Sequence, residues 1–290
     1  MIVMKFGGTS MGSAEALLNV KRAVTDAVAH APVIVVVSAM SGVTNQLIDL
    51  AQAALNGDEI APTIEQIKSR HHQVIDQVID KNPEEVRNYI TAMTDALKDL
   101  VMILAANPTL PDNEIQTMRN AVVSYGEAMS SIIASVLLRG TLHNAMKFIR
   151  THAGGVDWIT TKKLVGEEFP ETLSGIHVTQ GFIASDAADS AIVTNLGRGG
   201  SDFTAALIAA ATGAGRLEIW TDVDGFYDSD PRKNPDARLF DQMTFDQAQA
   251  LCDAGAKVIY PPTIMPVREA GIPVWVKNTF NLSARGTLIQ

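Results

Sequence analysis

The sequence has 290 residues, of which 47% are hydrophobic, 19% charged and 6% aromatic. That length corresponds to one large or two ordinary domains, and the apolar share supplies a sizeable core, so dominant disorder is excluded. Lys and Arg number 23 against 32 Asp and Glu, and the resulting charge of −9 argues against non-specific binding to nucleic acid or anionic membrane.

Strand and helix signals alternate along the chain. Ile2 to Phe6 is an apolar run stopped by Gly7-Gly8, a buried-strand signal. Leu17, Val20, Val24, Ala27 and Val28 then recur at helical spacing behind a candidate cap, Ser13. Val33 to Val37 is uninterrupted Val-Ile-Val-Val-Val, the pattern of a central parallel strand covered on both faces. Strand, glycine turn, helix and strand predict a doubly wound α/β domain. From Val43 to about Arg139 only helices are expected, punctuated by Asn56-Gly57, Asn82-Pro83 and Asn107-Pro108. Strands are predicted again at Ile176 to Ile183, Ala191 to Asn195, Leu217 to Trp220 and Pro273 to Val276. Helices are predicted at Phe203 to Ala211, Phe245 to Ala254 and Ile264 to Ala270.

The lone Cys252 has no intramolecular partner, which points to a reducing compartment. The longest apolar stretch, near Ala31 to Ala39, falls far short of the ~20 residues of a membrane helix. Nor does the start carry a basic segment followed by an apolar one. A cytoplasmic protein is expected.

Three turns could carry chemistry. Lys5-Phe-Gly-Gly-Thr-Ser10 ends the first strand with two glycines that allow a tight anion-binding turn, and Lys5 adds charge beside it. Asn195-Leu-Gly-Arg-Gly-Gly-Ser-Asp202 places Arg198 in a strand-to-helix turn suited to carboxylate or phosphate. In the plainer reading, Ser201 or Asp202 only caps the next helix. Neither turn has the spacing of a Walker or Rossmann loop. Thr221-Asp-Val-Asp-Gly-Phe-Tyr-Asp-Ser-Asp-Pro-Arg232 is acidic, but its spacing does not match an EF-hand, so a nucleotide loop is the better reading. Tyr227 could pack on a base there, while Arg232 reaches ribose or phosphate, and Lys257 is the next isolated cation. Ser38 to Asn45 follows the second strand and shares the same carboxyl edge, where open α/β sheets bind ligands. Glu127 follows Gly126 in an apolar helical context, either as a surface acid or as a buried functional one. His71-His72 reads as a solvated pair, because adjacent helical residues diverge by about 100°. Two cationic glycine turns beside an acidic loop suit phosphoryl transfer, which depends on positioning and charge neutralisation.

Together, Lys5 to Ser10, Ser38-Ala39 with Thr44-Asn45, Gly126-Glu127, Val178 to Phe182, Leu196 to Asp202 and Thr221 to Gly225 closely resemble the aspartate kinases. They span nearly the whole chain in the family's order. The resemblance implies the amino-acid kinase fold, a three-layer α/β/α sandwich around a mainly parallel sheet. It divides the chain into a substrate lobe at about 1–195 and an ATP lobe at about 196–290. Lys5, Gly7 and Gly8 would hold the transferring phosphoryl group, with Asp202 orienting the lysines or the magnesium region. Arg198 and Ser201 would bind the α-carboxylate of aspartate and Glu127 its ammonium, with Ser38 and Thr44 helping to position it. Lys5, Gly8, Thr221, Asp222, Tyr227, Arg232, Lys257 and Val258 would hold ATP. Magnesium is expected with the nucleotide, no protein metal motif being present. The alternatives are a kinase for another carboxylate or carbamate, and a non-catalytic sensor of ATP or amino acid.

The chain departs from the family's pattern at Asn144-Ala-Met146 before Arg150-Thr151, at His152 to Gly155, and at Tyr260-Pro-Pro262. It ends soon after the last strand signal, so the small regulatory ACT-type domains common in the family are expected to be absent, and with them sensitivity to lysine and threonine. A homo-oligomer, or a longer parent chain with regulatory or homoserine dehydrogenase domains, is compatible with this reading.

Overall fold

The computed structural model describes all residues except 230–233, 235 and 257. The chain opens with β1 (Ile2–Phe6), α1 (Ala14–Val28) and β2 (Val33–Val37). Ser13 caps α1 as expected, its Oγ accepting the Ala16 N–H at 3.2 Å and satisfying one of the helix's orphan donors. All of β2 is buried, because helices cover both faces of the sheet at that point. Four helices follow without a strand: α2 (Val43–Asn56), α3 (Ala61–Val78), α4 (Pro83–Ala106) and α5 (Asp112–Leu138).

Next come β3 (Thr141–His143), β4 (Arg150–His152), β5 (Gly155–Val156), α6 (Trp158–Glu168), β6 (Ile176–Gln180), β7 (Ile183–Asp186) and β8 (Val193–Asn195). The chain finishes with α7 (Gly200–Thr212), β9 (Arg216–Thr221), β10 (Gln242–Met243), α8 (Phe245–Asp253), α9 (Ile264–Glu269), β11 (Val274–Asn278) and β12 (Thr287–Ile289). Among the described residues the main sheet runs β10-β12-β11-β9-β1-β2-β6-β3, parallel except where β12 meets β11.

Alternation along the strands divides the core in two. Met4, Phe6, Val33, Val35 and Val37 pack beneath α1 to α5, while Val3, Ile34 and Val36 face α6 to α9. The result is the three-layer α/β/α sandwich. Lys5 lies on the same face as Val3, towards α7, and this places a charged group where that helix begins.

Four expectations need correction. The strand predicted from Ile176 to Ile183 is two strands, broken at Gly181-Phe182, where Phe182 adopts φ 66° and donates its N–H to Thr204 Oγ1 at 3.0 Å. After the break the chain enters a second sheet, ordered β5-β4-β7-β8, so the predicted strand near Asn195 lies there and not in the main sheet. His71 is fully buried, not solvated. Its Nδ1 bonds the Ile67 carbonyl at 2.6 Å, and burial pushes its pKa down to about 4. Finally, α5 is long and apolar enough to cross a membrane, with a mean hydropathy of 1.6 over its best stretch, although no sequence run suggested it. Gly126, Glu127 and four serines interrupt its apolar residues, and 67% of that stretch is buried within the fold, as in a core helix.

Candidate active site

The carboxyl ends of β1, β2 and β9 open into a cleft of about 1100 Å³. Its walls include Lys5, Gly7, Gly8, Ser38, Thr44, Glu127, Arg198, Ser201, Asp202, Thr221, Asp222 and Val258. The predicted turns, which lie far apart in sequence, thus converge on one space.

Lys5 Nζ lies 2.6 Å from Asp202 Oδ1, and both side chains are only about a tenth exposed. The carboxylate stands in the first turn of α7, where the helix dipole favours negative charge. Its other oxygen accepts the Tyr260 N–H at 3.2 Å. Asp202 is therefore neither a mere cap nor a free acid; it holds the ammonium of Lys5 at the sheet edge. The neighbouring Gly7 N–H bonds the Trp220 carbonyl at 3.2 Å, so the amides of this turn that can face an anion begin at Gly8.

The cap of α7 is Gly199, in the left-handed region at φ 70°, so the capping role read for Ser201 or Asp202 does not hold. A Cβ on Gly199 would fall 2.2 Å from Tyr260, which tolerates nothing but glycine opposite its ring. Tyr260, one of the departures from the family's pattern, thus serves by its backbone N–H and by its packing. Arg198 is exposed on the cleft wall and makes no hydrogen bond or ion pair with the described residues. Its guanidinium is available to a ligand.

Glu127 lies within α5 and is 3% exposed. Burial raises its pKa to about 7, against the lesser opposing effect of the Ala39 backbone N–H, and its Oε2 has no partner. Of the two readings, the buried acid is the one observed. Gly126 makes this approach possible, since a Cβ there would lie 2.8 Å from the Ala39 Cβ and 3.2 Å from Leu47 Cδ1. Gly126→Ala is expected to destabilise the protein by about 1–3 kcal/mol through overpacking. Urea titration of the two proteins measures the difference, and an unchanged midpoint would contradict this packing.

At the end of β9, also lining the cleft, Thr221 donates to Asp222 Oδ1 at 3.3 Å. Tyr227 stands off the cleft wall, where burial and Asp224 raise its pKa. Arg232 and Lys257 fall outside the described residues. Glu218, which precedes the acidic loop, belongs to the sheet's packing: it is 2% exposed and accepts from Arg216 Nε at 2.7 Å and Trp220 Nε1 at 2.9 Å.

Several cleft residues escaped the sequence reading. Arg119 and Asn120 line it, with Arg119 bonded to Gln52 at 2.6 Å. Their helical offset of seven and eight from Glu127 was the available signal, since two turns return to nearly the same face. Behind the cleft, Arg70 reaches from α3 to the carbonyls of Ser41 at 2.5 Å and Gly12 at 3.3 Å, tying together the loops after β1 and β2. No local pattern predicts that contact, which joins residues 29 and 58 positions apart.

The model of the Amino acid kinase family matches residues 1–278, and the chain belongs to that family. It is 33% identical over 305 residues to the lysine-sensitive aspartokinase 3 of Escherichia coli, covering 100% of this chain and 64% of the relative. It is 32% identical over 303 residues to a bifunctional aspartokinase/homoserine dehydrogenase of Buchnera aphidicola, covering 100% of this chain but 36% of that protein. The crystal structure of E. coli aspartokinase III in complex with aspartate and ADP superposes with a TM-score of 0.88 at 31% identity, over 100% of this chain and 64% of that one. The chain thus spans between about a third and two thirds of the length of these relatives.

Proposed function

We propose that the protein transfers the γ-phosphoryl group of ATP to the β-carboxylate of L-aspartate, giving 4-phospho-L-aspartate and ADP. The observation that carries this reading is the convergence of Lys5, Arg198 and Glu127 on one cleft in a chain similar to aspartokinases. The E. coli aspartokinase III structure, described with aspartate and ADP, supports the same assignment.

In this reading the β-carboxylate oxygen attacks the γ-phosphorus, and the bond from that phosphorus to the β–γ bridging oxygen breaks. The nucleophile is ionised at neutral pH, with an ordinary pKa of about 3.9, so no general base is required. Lys5 and the amides from Gly8 onward neutralise the phosphoryl oxygens, while Asp202 holds Lys5 in place. Arg198 and Ser201 receive the α-carboxylate, Glu127 the α-ammonium, and Ser38 and Thr44 orient the substrate. Thr221, Asp222 and Val258 line the nucleotide side, to which Tyr227, Arg232 and Lys257 are also assigned. Residues 1–195 form the substrate lobe and 196–290 the ATP lobe. Magnesium belongs to the nucleotide substrate, carried on its phosphates; among the described residues no cluster of three metal-binding side chains occurs. The setting is a cytoplasmic biosynthetic enzyme, with homoserine dehydrogenase or regulatory domains as candidates for a longer parent chain.

Coupled ADP release measured with aspartate, glutamate and acetylglutamate tests the reading. Turnover with aspartate alone is expected. Turnover with another acid only would point to a different amino-acid kinase, and binding of ATP without turnover to a sensor.

A further inference from the structure

The turn that carries Arg198 is built on left-handed glycines, Gly197 and Gly199 both at φ 70°, and its guanidinium makes no bond with the described residues. Such a turn has wide conformational freedom, so something outside it must fix where the arginine stands. Asn195, just before it, is suited to that task. Its Oδ1 accepts the Gly197 N–H at 3.0 Å, closing an Asx-type turn, and its Nδ2 donates to Asn120 Oδ1 at 2.9 Å. Asn120 also accepts from Gln116 Nε2, one turn back on α5, at 2.9 Å, and this second bond holds its amide in the accepting orientation. Asn120 and Glu127 are seven residues apart on α5, two helical turns, and so lie on nearly the same face. The bonds from Gln116 through Asn120 and Asn195 to Gly197 therefore connect the helix bearing the buried acid to the turn bearing the free cation.

We propose that Asn195 and Asn120 form a latch that positions Arg198 relative to Glu127, setting the span between the groups that receive the two charged ends of an α-amino acid. The inference rests on the aspartate reading given above. Both asparagines act through Arg198 and are positioning residues; neither takes part in phosphoryl transfer. The latch acts on the substrate side, so its loss weakens aspartate binding and leaves ATP binding alone. An acid at position 120 keeps the accepting oxygen, whereas leucine does not.

The test is a double-mutant cycle in the whole chain, with KM for aspartate and for ATP measured for wild type, Asn195→Ala, Asn120→Leu and the double variant, and with Asn120→Asp as the conservative control. Each single substitution is expected to raise KM for aspartate about tenfold, the scale of losing one or two neutral hydrogen bonds. The double variant should be no worse than either single one, Asn120→Asp should stay close to wild type, and KM for ATP should not move. Independent, multiplying effects in the double variant, or an unchanged KM for aspartate, would overturn the latch. Hydrogen exchange of residues 196–202 provides a readout independent of turnover. It should quicken in both single variants but not in Asn120→Asp, and unchanged exchange would also overturn the proposal. Absent wild-type turnover with aspartate would count against the proposed function, while the exchange measurement would still decide the latch.

Discussion

Replacing Lys5 by methionine is expected to lower kcat about a hundredfold, as loss of one preorganised charge costs on the order of 3 kcal/mol of transition-state stabilisation. KM for ATP should shift far less, because in the proposed reading the nucleotide is also held by the segments around Thr221 and Val258, which line the same cleft. Lys5 stands at the end of β1 with its ammonium 2.6 Å from Asp202, so its position is fixed before any ligand arrives. The substitution has a second effect. It leaves Asp202 as an uncompensated carboxylate beside the incoming phosphoryl group, and breaking a buried pair in this way destabilises by about 3 kcal/mol or more. Adding Asp202→Asn to the Lys5→Met protein should therefore recover part of the lost stability but little of the lost kcat. Steady-state kinetics and urea titration of the three proteins separate the two effects, and a Lys5→Met enzyme with wild-type kcat would remove Lys5 from the mechanism.

The second large effect concerns Glu127. Converting it to glutamine should raise KM for aspartate about thirtyfold, within the range for a hydrogen bond to a charged group, with KM for ATP unchanged. Should ATP binding weaken instead, the acid would have to be reassigned. The pH dependence provides a further check. Burial raises the Glu127 pKa from 4.5 to about 7, so in the free enzyme the acid is largely protonated below about pH 7. Only the carboxylate pairs with an ammonium, so kcat/KM for aspartate should fall as pH drops below about 7, and this decline should vanish in Glu127→Gln. Stability carries the opposite sign. A raised acid pKa means that the folded state holds the proton more tightly than the unfolded chain does. Its contribution is fully present below pH 4.5 and is lost as pH rises to about 7. Glu127→Gln should thus be more stable than wild type at pH 8, as thermal melts at pH 5 and pH 8 would register.

Much of this molecule is determined locally. The aliphatic run at Val33 to Val37, the cap at Ser13, the helical block after Val43 and the two glycine turns follow from residue chemistry within short windows, and those elements form where that chemistry predicts. The placement of the loops after β1, β2 and β9 at one sheet edge also follows, because parallel strands with crossover helices put their outgoing loops on the same side. The turn bearing Arg198, by contrast, leaves β8 of the second sheet and joins the cleft only in the tertiary fold. Pairings across long sequence separations were decided only in three dimensions. Glu127 could be a surface acid or a buried one until Gly126 let α5 press against Ala39. His71 read as solvated because nothing nearby in sequence revealed that α4 and α5 would cover α3. The strand predicted through Ile183 divided between two sheets, because Phe182 takes a left-handed conformation that its own side chain does not favour and that the hydrogen bond from its N–H to Thr204 Oγ1 holds. Arg70, Asn120 and Asn195 bond to partners 29 or more residues away, or to backbone atoms of a glycine turn, and such contacts leave no periodic trace in the chain. Short-range propensity fixed the elements and the direction in which their loops leave the sheet, while close packing between distant elements decided which charged groups are buried, paired or left free for a ligand.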